Sequence, residues 1–206
     1  MSTHFIFWFT KGDVRMKIKE ITYVALFAAI MGILGLLPPI TLGFTPVPIT
    51  LQTLGVILAG GILGARLGAL SIIVFLLIVA AGMPLLPGGR GGIGVFFGPS
   101  GGYLIGYVIA AFSIGLIFSK IQTLKFKHII ATNLTVGVFS VYLTGIPVQA
   151  FVMNLPILET IKLSLVYIPG DFMKAIIASI LVYKLQKYPT IAQNFVKPST
   201  AQVREG

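Results

Sequence analysis

The sequence predicts an all-α membrane protein with six transmembrane helices, and three observations carry this prediction. Of the 206 residues, 56% are hydrophobic and 10% are charged, whereas a soluble domain carries roughly 25% charged residues. Apolar runs long enough to span a bilayer recur along the chain. The segments between these runs are either rich in Gly and Pro or rich in Lys. Together these features exclude an ordinary soluble domain.

The chain divides into three parts. Residues 1–15 are predicted to be an N-terminal extension outside the fold, because their apolar segment 4–9 is too short to span a bilayer and Met16 offers an alternative start. Residues 16–190 are predicted to form the six-helix membrane domain. Residues 191–206 are predicted to be a polar cytoplasmic tail.

Helix one is predicted over residues 21–37, ending at Pro38. It carries Ala25 and Ala29 four residues apart, and small residues at this spacing let a second helix approach closely in lipid. The spacing leaves open whether that second helix is internal or belongs to a partner.

Helices two and three are predicted over residues 50–64 and 67–82, with a tight turn at 64–66 between them. Residues 40–49, which contain two prolines, are predicted to be a loop. Gln52 lies in the first turn of helix two.

The segment 83–103, between helices three and four, is the least regular part of the sequence. It contains three Pro, eight Gly and a single charged residue, Arg90, together with Phe96, Phe97 and Tyr103. A plain connector needs only a few residues, and a flexible linker is rich in Ser and other polar residues. The composition favours a shaped loop that helps to build a ligand site.

Helices four, five and six are predicted over residues 101–119, 129–153 and 169–187. Pro147 is expected to kink helix five. Residues 154–167 are predicted to be a partly amphipathic loop.

The distribution of positive charge predicts the orientation. With six spans, 12 of the 15 Lys and Arg residues lie on the side of the termini and two lie on the other side, Arg90 and Lys162, while Lys174 is inside helix six. Because Lys and Arg accumulate on the cytoplasmic side, both termini are predicted to be cytoplasmic in a plasma-membrane protein. The net charge of +10 is then explained by lipid and orientation, without nucleic acid.

Proline follows the opposite distribution. Nine of the 12 prolines lie in the external loops one, three and five. Long, ordered loops frequently carry function, so the binding site is predicted to be external.

Two ionisable residues lie inside a predicted span, Asp171 and Lys174. Charged groups are costly in lipid unless they are paired or face a polar cavity, which makes them functional candidates. Their i, i+3 spacing places them on one face of helix six. The alternative is that Asp171 only complements the helix N-terminus, or that the two residues form an internal ion pair.

The predicted external half combines a carboxylate, two cations, amide and hydroxyl groups, and aromatic rings. This set suits a small ligand with an apolar body, a polar ring and an acid group. The candidate site residues so far are Asp171, Lys174, Arg90, Gln52, Tyr103, Phe44 and Tyr167. With no Cys and two His in the chain, a metal site is not expected, and no cofactor is expected.

Four motifs in this order resemble the BioY family, the biotin-specific substrate-binding (S) components of energy-coupling-factor (ECF) vitamin transporters. They are PVPITLQTLG at 46–55, GGRGG at 88–92, FGPSGGY at 97–103 and Asp171-x-x-Lys174. The resemblance covers about residues 17–187. It implies a six-helix subunit that binds biotin at its outward face, in a pocket that includes Asp171, Lys174 and Gly91.

The resemblance also implies partners. Ala25 and Ala29 would dock on a transmembrane T component, and two cytoplasmic ATPases would supply energy, since the chain contains no G-x-x-x-x-G-K-[ST] motif. As a hypothesis, Asp171 accepts the ureido N–H groups of biotin, and Arg90 or Lys174 neutralises its carboxylate. Whether Lys174 instead orients Asp171 stays open.

Two other classes of function are weighed. Ser100 lies in a G-x-S-G sequence like that of rhomboid proteases, but a serine nucleophile needs a His base, and His4 and His128 lie far from it in the predicted topology. The stronger alternative is a self-sufficient secondary carrier for a small carboxylate-bearing solute, with Asp171 as its proton or cation site.

Overall fold

A computed structural model describes residues 16–121 and 123–186, so the predicted extension 1–15 and tail 191–206 lie outside the described residues. The described protein is mostly helical. Five helices are long and apolar enough to cross a membrane: Ile18–Leu36, Gln52–Ala80, Gly101–Lys120, Phe126–Met153 and Ile157–Leu185. The predicted all-α membrane class is confirmed.

Helix α1 spans Ile18–Leu36 and is followed by a β-hairpin where the sequence predicted a loop. Strand β1, Ile40–Leu42, pairs antiparallel with β2, Thr45–Ile49. Two prolines lie in β2, which is possible because a two-stranded ribbon leaves each strand with a free edge. Loop one is therefore an ordered cover and not an irregular connection.

Helix α2, Gln52–Ala80, contains a break at Gly64, whose backbone has φ +80° and ψ −176°. Glycine alone adopts this conformation readily. A Cβ atom placed on Gly68 would lie 2.7 Å from the carbonyl oxygen of Ala59, whereas nine residues of straight helix span about 13 Å. The chain therefore folds back on itself at the place where the sequence predicted the turn between helices two and three.

The Gly-rich segment after α2 is folded and tied to that helix. Leu86 and Arg90 exchange backbone hydrogen bonds of 3.0 and 3.2 Å, around a turn in which Gly88 and Gly89 have positive φ. The Gly92 N–H donates to the carbonyl of Val79 at 2.8 Å. A 3₁₀ turn, Ile93–Phe97, leads into helix α3, Gly101–Lys120.

The fourth apolar helix has an irregular centre. It consists of α4 (Phe126–Thr132), a π-helical turn (Asn133–Gly137) and α5 (Val138–Met153). Pro147 lies within α5, where the expected kink stays a prediction, and the π turn is a separate departure from α geometry.

The predicted loop 154–167 is wrong, because the structure is helical there. Asn154 closes α5 in the left-handed conformation, and Pro156 precedes α6, Ile157–Ser164. A 3₁₀ turn, Leu165–Tyr167, connects α6 to α7, Ile168–Leu185. Thr160 and Ser164 lie one turn apart and are both buried, so α6 packs as an amphipathic helix.

Helix α2 occupies the centre of the molecule and packs against α1, α3 and α7, while α3 also packs against α5. This arrangement brings the start of α2, the start of α3 and the start of α7 to one end of the bundle, together with the β-hairpin and the Gly-rich segment.

Candidate functional site

A cavity of about 60 Å³ lies at the end of the bundle where these elements meet. It is bounded by β2, the first turn of α2, the Gly-rich segment, α3, α5 and α7. Six of the predicted site residues line it: Gln52, Arg90, Tyr103, Tyr167, Asp171 and Lys174. Residues far apart in sequence are thus brought together at one cavity.

Asp171 and Lys174 form a buried ion pair at this cavity. The Lys174 ammonium lies 2.6 Å from Asp171 Oδ1, and the two side chains are 8% and 10% exposed. Lys174 Nζ also donates to the backbone carbonyl of Thr50 at 2.7 Å. A buried pair needs such additional hydrogen bonds to offset desolvation, so Lys174 is already committed to Asp171 and to the start of α2.

Both carboxylate oxygens of Asp171 accept further hydrogen bonds. The Thr53 hydroxyl donates to Oδ1 at 3.0 Å, and the Tyr142 hydroxyl donates to Oδ2 at 2.5 Å. These contacts fix the orientation of the carboxylate from α2 and α5. Tyr142 did not figure in the sequence prediction, since an isolated Tyr in an apolar helix carries no distinguishing signal.

Gln52 contributes a donor without a protein partner. The residue is 1% exposed, and within 16–121 and 123–186 its Nε2 atom has no hydrogen-bond partner. A buried donor left unsatisfied costs about 1–3 kcal/mol. The amide is therefore suited to an acceptor that enters the cavity.

Arg90 is the exposed cation of the cavity lining. Its Nε donates to the carbonyl of Pro87 at 3.1 Å, which holds the side chain on the turn. Among the described residues, no carboxylate lies within 4.0 Å of its guanidinium. The guanidinium N–H groups of Arg90 are therefore available to an anionic ligand.

Tyr103 and Tyr167 form cavity walls whose hydroxyls are used internally. Tyr103 donates to Gln149 Oε1 at 2.7 Å, joining α3 to α5, and lies 3.2 Å from Ser164 Oγ. Tyr167 donates to the carbonyl of Val47 at 2.9 Å, joining the 3₁₀ turn before α7 to the β-hairpin. Their rings are left to face a ligand.

Two predicted site residues are not brought to the cavity lining. Phe44 lies at the tip of the β-hairpin and is 56% exposed. Gly91 lies beside the backbone of Met83, where a Cβ atom would collide with a carbonyl oxygen. Their contact with a ligand stays a prediction.

Ala25 and Ala29 lie on the exposed face of α1, and the opposite face, with Val24, Ala28 and Met31, is buried. No helix of the described chain covers this small-residue pair. The structure leaves it free for a neighbour in the membrane.

The lining of the cavity offers both hydrogen-bonding groups and charge. It presents a carboxylate, an amide donor and a guanidinium between aromatic walls, the usual make-up of a small-molecule site. In the part of the chain that the structure describes, no cluster of three His, Cys, Asp or Glu side chains is placed to hold a metal ion.

Comparison with known proteins gives a consistent result. The sequence pattern of the BioY family matches residues 10–190. The chain is 48% identical over 170 residues to the probable biotin transporter BioY of Bacillus subtilis, covering 82% of this chain and 91% of that protein. It is 42% identical over 175 residues to the biotin transporter BioY of Rhizobium etli, covering 81% and 92%.

The fold also matches a solved structure. A crystal structure at 2.1 Å of the S-component for biotin from an ECF-type ABC transporter superimposes with a TM-score of 0.83. That chain is 38% identical, and the match covers 88% of this chain and 100% of that one.

Proposed function

The chain belongs to the BioY family, and from this premise we propose that it is the biotin-capturing membrane subunit of an ATP-driven ECF vitamin importer. The observation that carries the proposal is the Asp171–Lys174 ion pair, buried at a cavity that also holds a free amide donor and an exposed guanidinium. The family relationship supplies the ligand, and the cavity supplies the means of holding it.

We assign the polar end of biotin to the buried part of the cavity. Asp171, held by Thr53 and Tyr142, accepts the ureido N–H groups. Gln52 Nε2 donates to the ureido carbonyl oxygen, which would satisfy its unpaired N–H groups. Lys174 orients Asp171 and does not itself meet the ligand's carboxylate, because its ammonium already has two close acceptors.

The carboxylate of the valerate chain meets Arg90 at the exposed edge of the cavity. A cavity of about 60 Å³ is small beside the ~300–1,000 Å³ of typical small-molecule sites. Side chains of the β-hairpin and the Gly-rich segment therefore have to move outward as biotin enters.

The orientation in the membrane follows from the turn at Gly64. If each limb of α2 crosses once, the chain crosses six times, and both termini lie on one side. The excess of Lys and Arg on that side supports a cytoplasmic location for it, and the cavity and the loops one, three and five would then be external.

Energy must come from partner chains. The exposed pair Ala25 and Ala29 on α1 is the surface that we assign to a T component, since small residues permit close helix packing in lipid. Two ATPases complete the importer, because the sequence has no phosphate-binding loop of its own.

Uptake of radiolabelled biotin into proteoliposomes tests this assignment. The chain alone is expected to bind biotin but not to accumulate it under a proton or sodium gradient. Co-reconstitution with a T component and two ATPases is expected to give uptake that requires ATP. Accumulation by the chain alone under an ion gradient would instead establish the secondary carrier.

A further inference from the structure

A second concavity lies on the outside of the bundle, between α5 with its π turn and the helical segment formed by α6 and α7. We call it the lateral groove; its volume is about 600 Å³. The groove is separate from the ligand cavity, although Tyr142 belongs to both walls. Several of its apolar side chains are well exposed, among them Phe139, Leu165 and Phe172.

The polar groups in the walls of the lateral groove are already hydrogen-bonded within the protein. Its three hydroxyl-bearing residues already donate inside the protein: Thr135 to the carbonyl of Ala131 at 2.7 Å, Ser164 to that of Thr160 at 2.8 Å, and Tyr142 to Asp171 at 2.5 Å. The remaining lining is aliphatic or aromatic. Such walls suit hydrocarbon and give a polar solute nothing to bind.

The length of the groove matches one leaflet. Along α6 and α7 it runs from Ile161 to Phe172, which is about 16 Å at 1.5 Å per residue. Half of the ~30 Å hydrocarbon core of a bilayer is about 15 Å. One acyl chain of one leaflet therefore fits the groove from end to end.

A cation stands at the Ile161 end of the groove. Ser164 lies 3.2 Å from the hydroxyl of Tyr103, at the start of α3, so the Ile161 end of the groove is the end that carries the Gly-rich segment. Lys162 is exposed next to Ile161, and none of the described carboxylates lies within 4.0 Å of its ammonium. An ammonium there is suited to a phosphate.

We propose that the lateral groove is a phospholipid site. It holds one acyl chain of a lipid from the leaflet on the side of the ligand cavity, with the lipid phosphate at Lys162. Because the acyl chain packs on Tyr142, it also supports the residue that fixes the Asp171 carboxylate. This consequence for biotin binding rests on the proposed function, whereas the lipid site does not.

Native mass spectrometry of the full chain with 1-palmitoyl-2-oleoyl phosphatidylglycerol tests the site. The wild-type protein is expected to retain one lipid. Leu165→Trp, which fills the groove, is expected to lower the bound fraction at least fivefold. Ile105→Trp is the matched control, since Ile105 and Leu165 are 51% and 54% exposed, and it is expected to bind within twofold of wild type.

Two further measurements do not depend on the folding of the Trp variant. Lys162→Glu, a change of an exposed side chain, is expected to reduce phosphatidylglycerol retention at least threefold. With wild-type protein and lipids of increasing acyl length, retention is expected to rise and then level off once the chain outgrows the groove.

Equal retention by the wild type and by both groove variants would overturn the proposal. So would wild-type protein without bound lipid, or a dimer that Leu165→Trp dissociates, which would make a second copy the occupant. Because lipid retention is read without biotin, a failure of this proposal is distinguishable from a failure of the proposed function.

Discussion

At the residue scale, the cavity combines an acceptor whose hydrogen bonds are already made with donors that have no partner. Asp171 accepts from Lys174, Thr53 and Tyr142, so its position is fixed before any ligand arrives. Within residues 16–121 and 123–186, the amide nitrogen of Gln52 has no hydrogen-bond partner, and no carboxylate lies within 4.0 Å of the Arg90 guanidinium. A purely structural ion pair would not need free donors beside it, so this combination supports the proposed binding role of the cavity.

The role proposed for Arg90 is testable by comparing biotin with a ligand that lacks the carboxylate. Arg90→Gln is expected to weaken biotin binding about tenfold, the equivalent of one exposed charge-assisted hydrogen bond of ~1.4 kcal/mol. The same change is expected to leave the affinity for uncharged biotinamide within twofold, because that ligand has no carboxylate. Isothermal titration of both proteins with both ligands makes the comparison. An equal loss for both ligands would move the carboxylate away from Arg90.

Sequence alone singled out two ionisable residues of the cavity lining for a physical reason. A charge in an apolar span is costly and therefore conspicuous, which singles out Asp171 and Lys174. The hydrogen bond of Tyr142 to Asp171 and the unpaired amide nitrogen of Gln52 depend on how the helices pack, which the spacing of residues in the sequence does not predict. For the same reason, sequence grouped Phe44 with the cavity, although Phe44 lies at the exposed tip of the β-hairpin and is not part of the described lining.

At the element scale, α1 packs closely against Leu85 and Gln52 at Gly35. A Cβ atom on Gly35 would collide with the carbonyl oxygen of Leu85 and lie 2.6 Å from Gln52 Nε2. A Cβ atom on Gly32, one turn earlier, would have Leu85 Cδ1 at 3.5 Å, an ordinary contact. The helix that carries Ala25 and Ala29 therefore abuts a residue of the ligand cavity.

These two glycines form a matched pair for mutation. Gly35→Ala is expected to destabilise the protein by about 1–3 kcal/mol through overpacking and to weaken biotin binding by displacing Gln52. Gly32→Ala is expected to be neutral or to stabilise by about 0.5–1 kcal/mol, since Ala favours the helix. Thermal unfolding in detergent, with and without biotin, measures both effects. If the two variants behaved alike, the contact of α1 with Gln52 would not matter for binding.

The elements that sequence misjudged are those where local signals conflict. The partly amphipathic segment 154–167 was predicted to be a loop, yet the buried Thr160 and Ser164 hold α6 in place. Two prolines suggested an irregular loop one, yet they fit the free edges of a two-stranded hairpin. In contrast, the turn at Gly64 was predicted correctly, because a Gly-Ala-Arg sequence interrupts an otherwise apolar run.

At the scale of the whole molecule, six crossings of the membrane require the turn at Gly64 to reach the cytoplasmic surface. Arg66, two residues beyond the turn, would then be accessible to water on the same side as Lys127, and Lys162 would be accessible on the opposite side. A single uninterrupted crossing by α2 would place Arg66 near the bilayer centre.

Cysteine labelling tests this topology directly, because the chain has no native Cys. Arg66→Cys and Lys127→Cys are expected to react with a membrane-impermeant maleimide only in inverted vesicles, and Lys162→Cys only in right-side-out cells. Labelling of Arg66→Cys from the outside, or from neither side, would contradict the six-crossing arrangement.

The central claim is that Asp171 is the anchor of a biotin site, and isothermal titration of the purified chain tests it most directly. Wild-type protein is expected to bind one biotin per chain, and Asp171→Asn to bind at least about 100-fold more weakly, since it loses hydrogen bonds to a charged group. The exposed acid variant Glu159→Gln is the control and is expected to bind like the wild type, with circular dichroism showing that all three proteins are folded. Wild-type affinity in folded Asp171→Asn, or no biotin binding by the folded wild-type chain, would contradict the account.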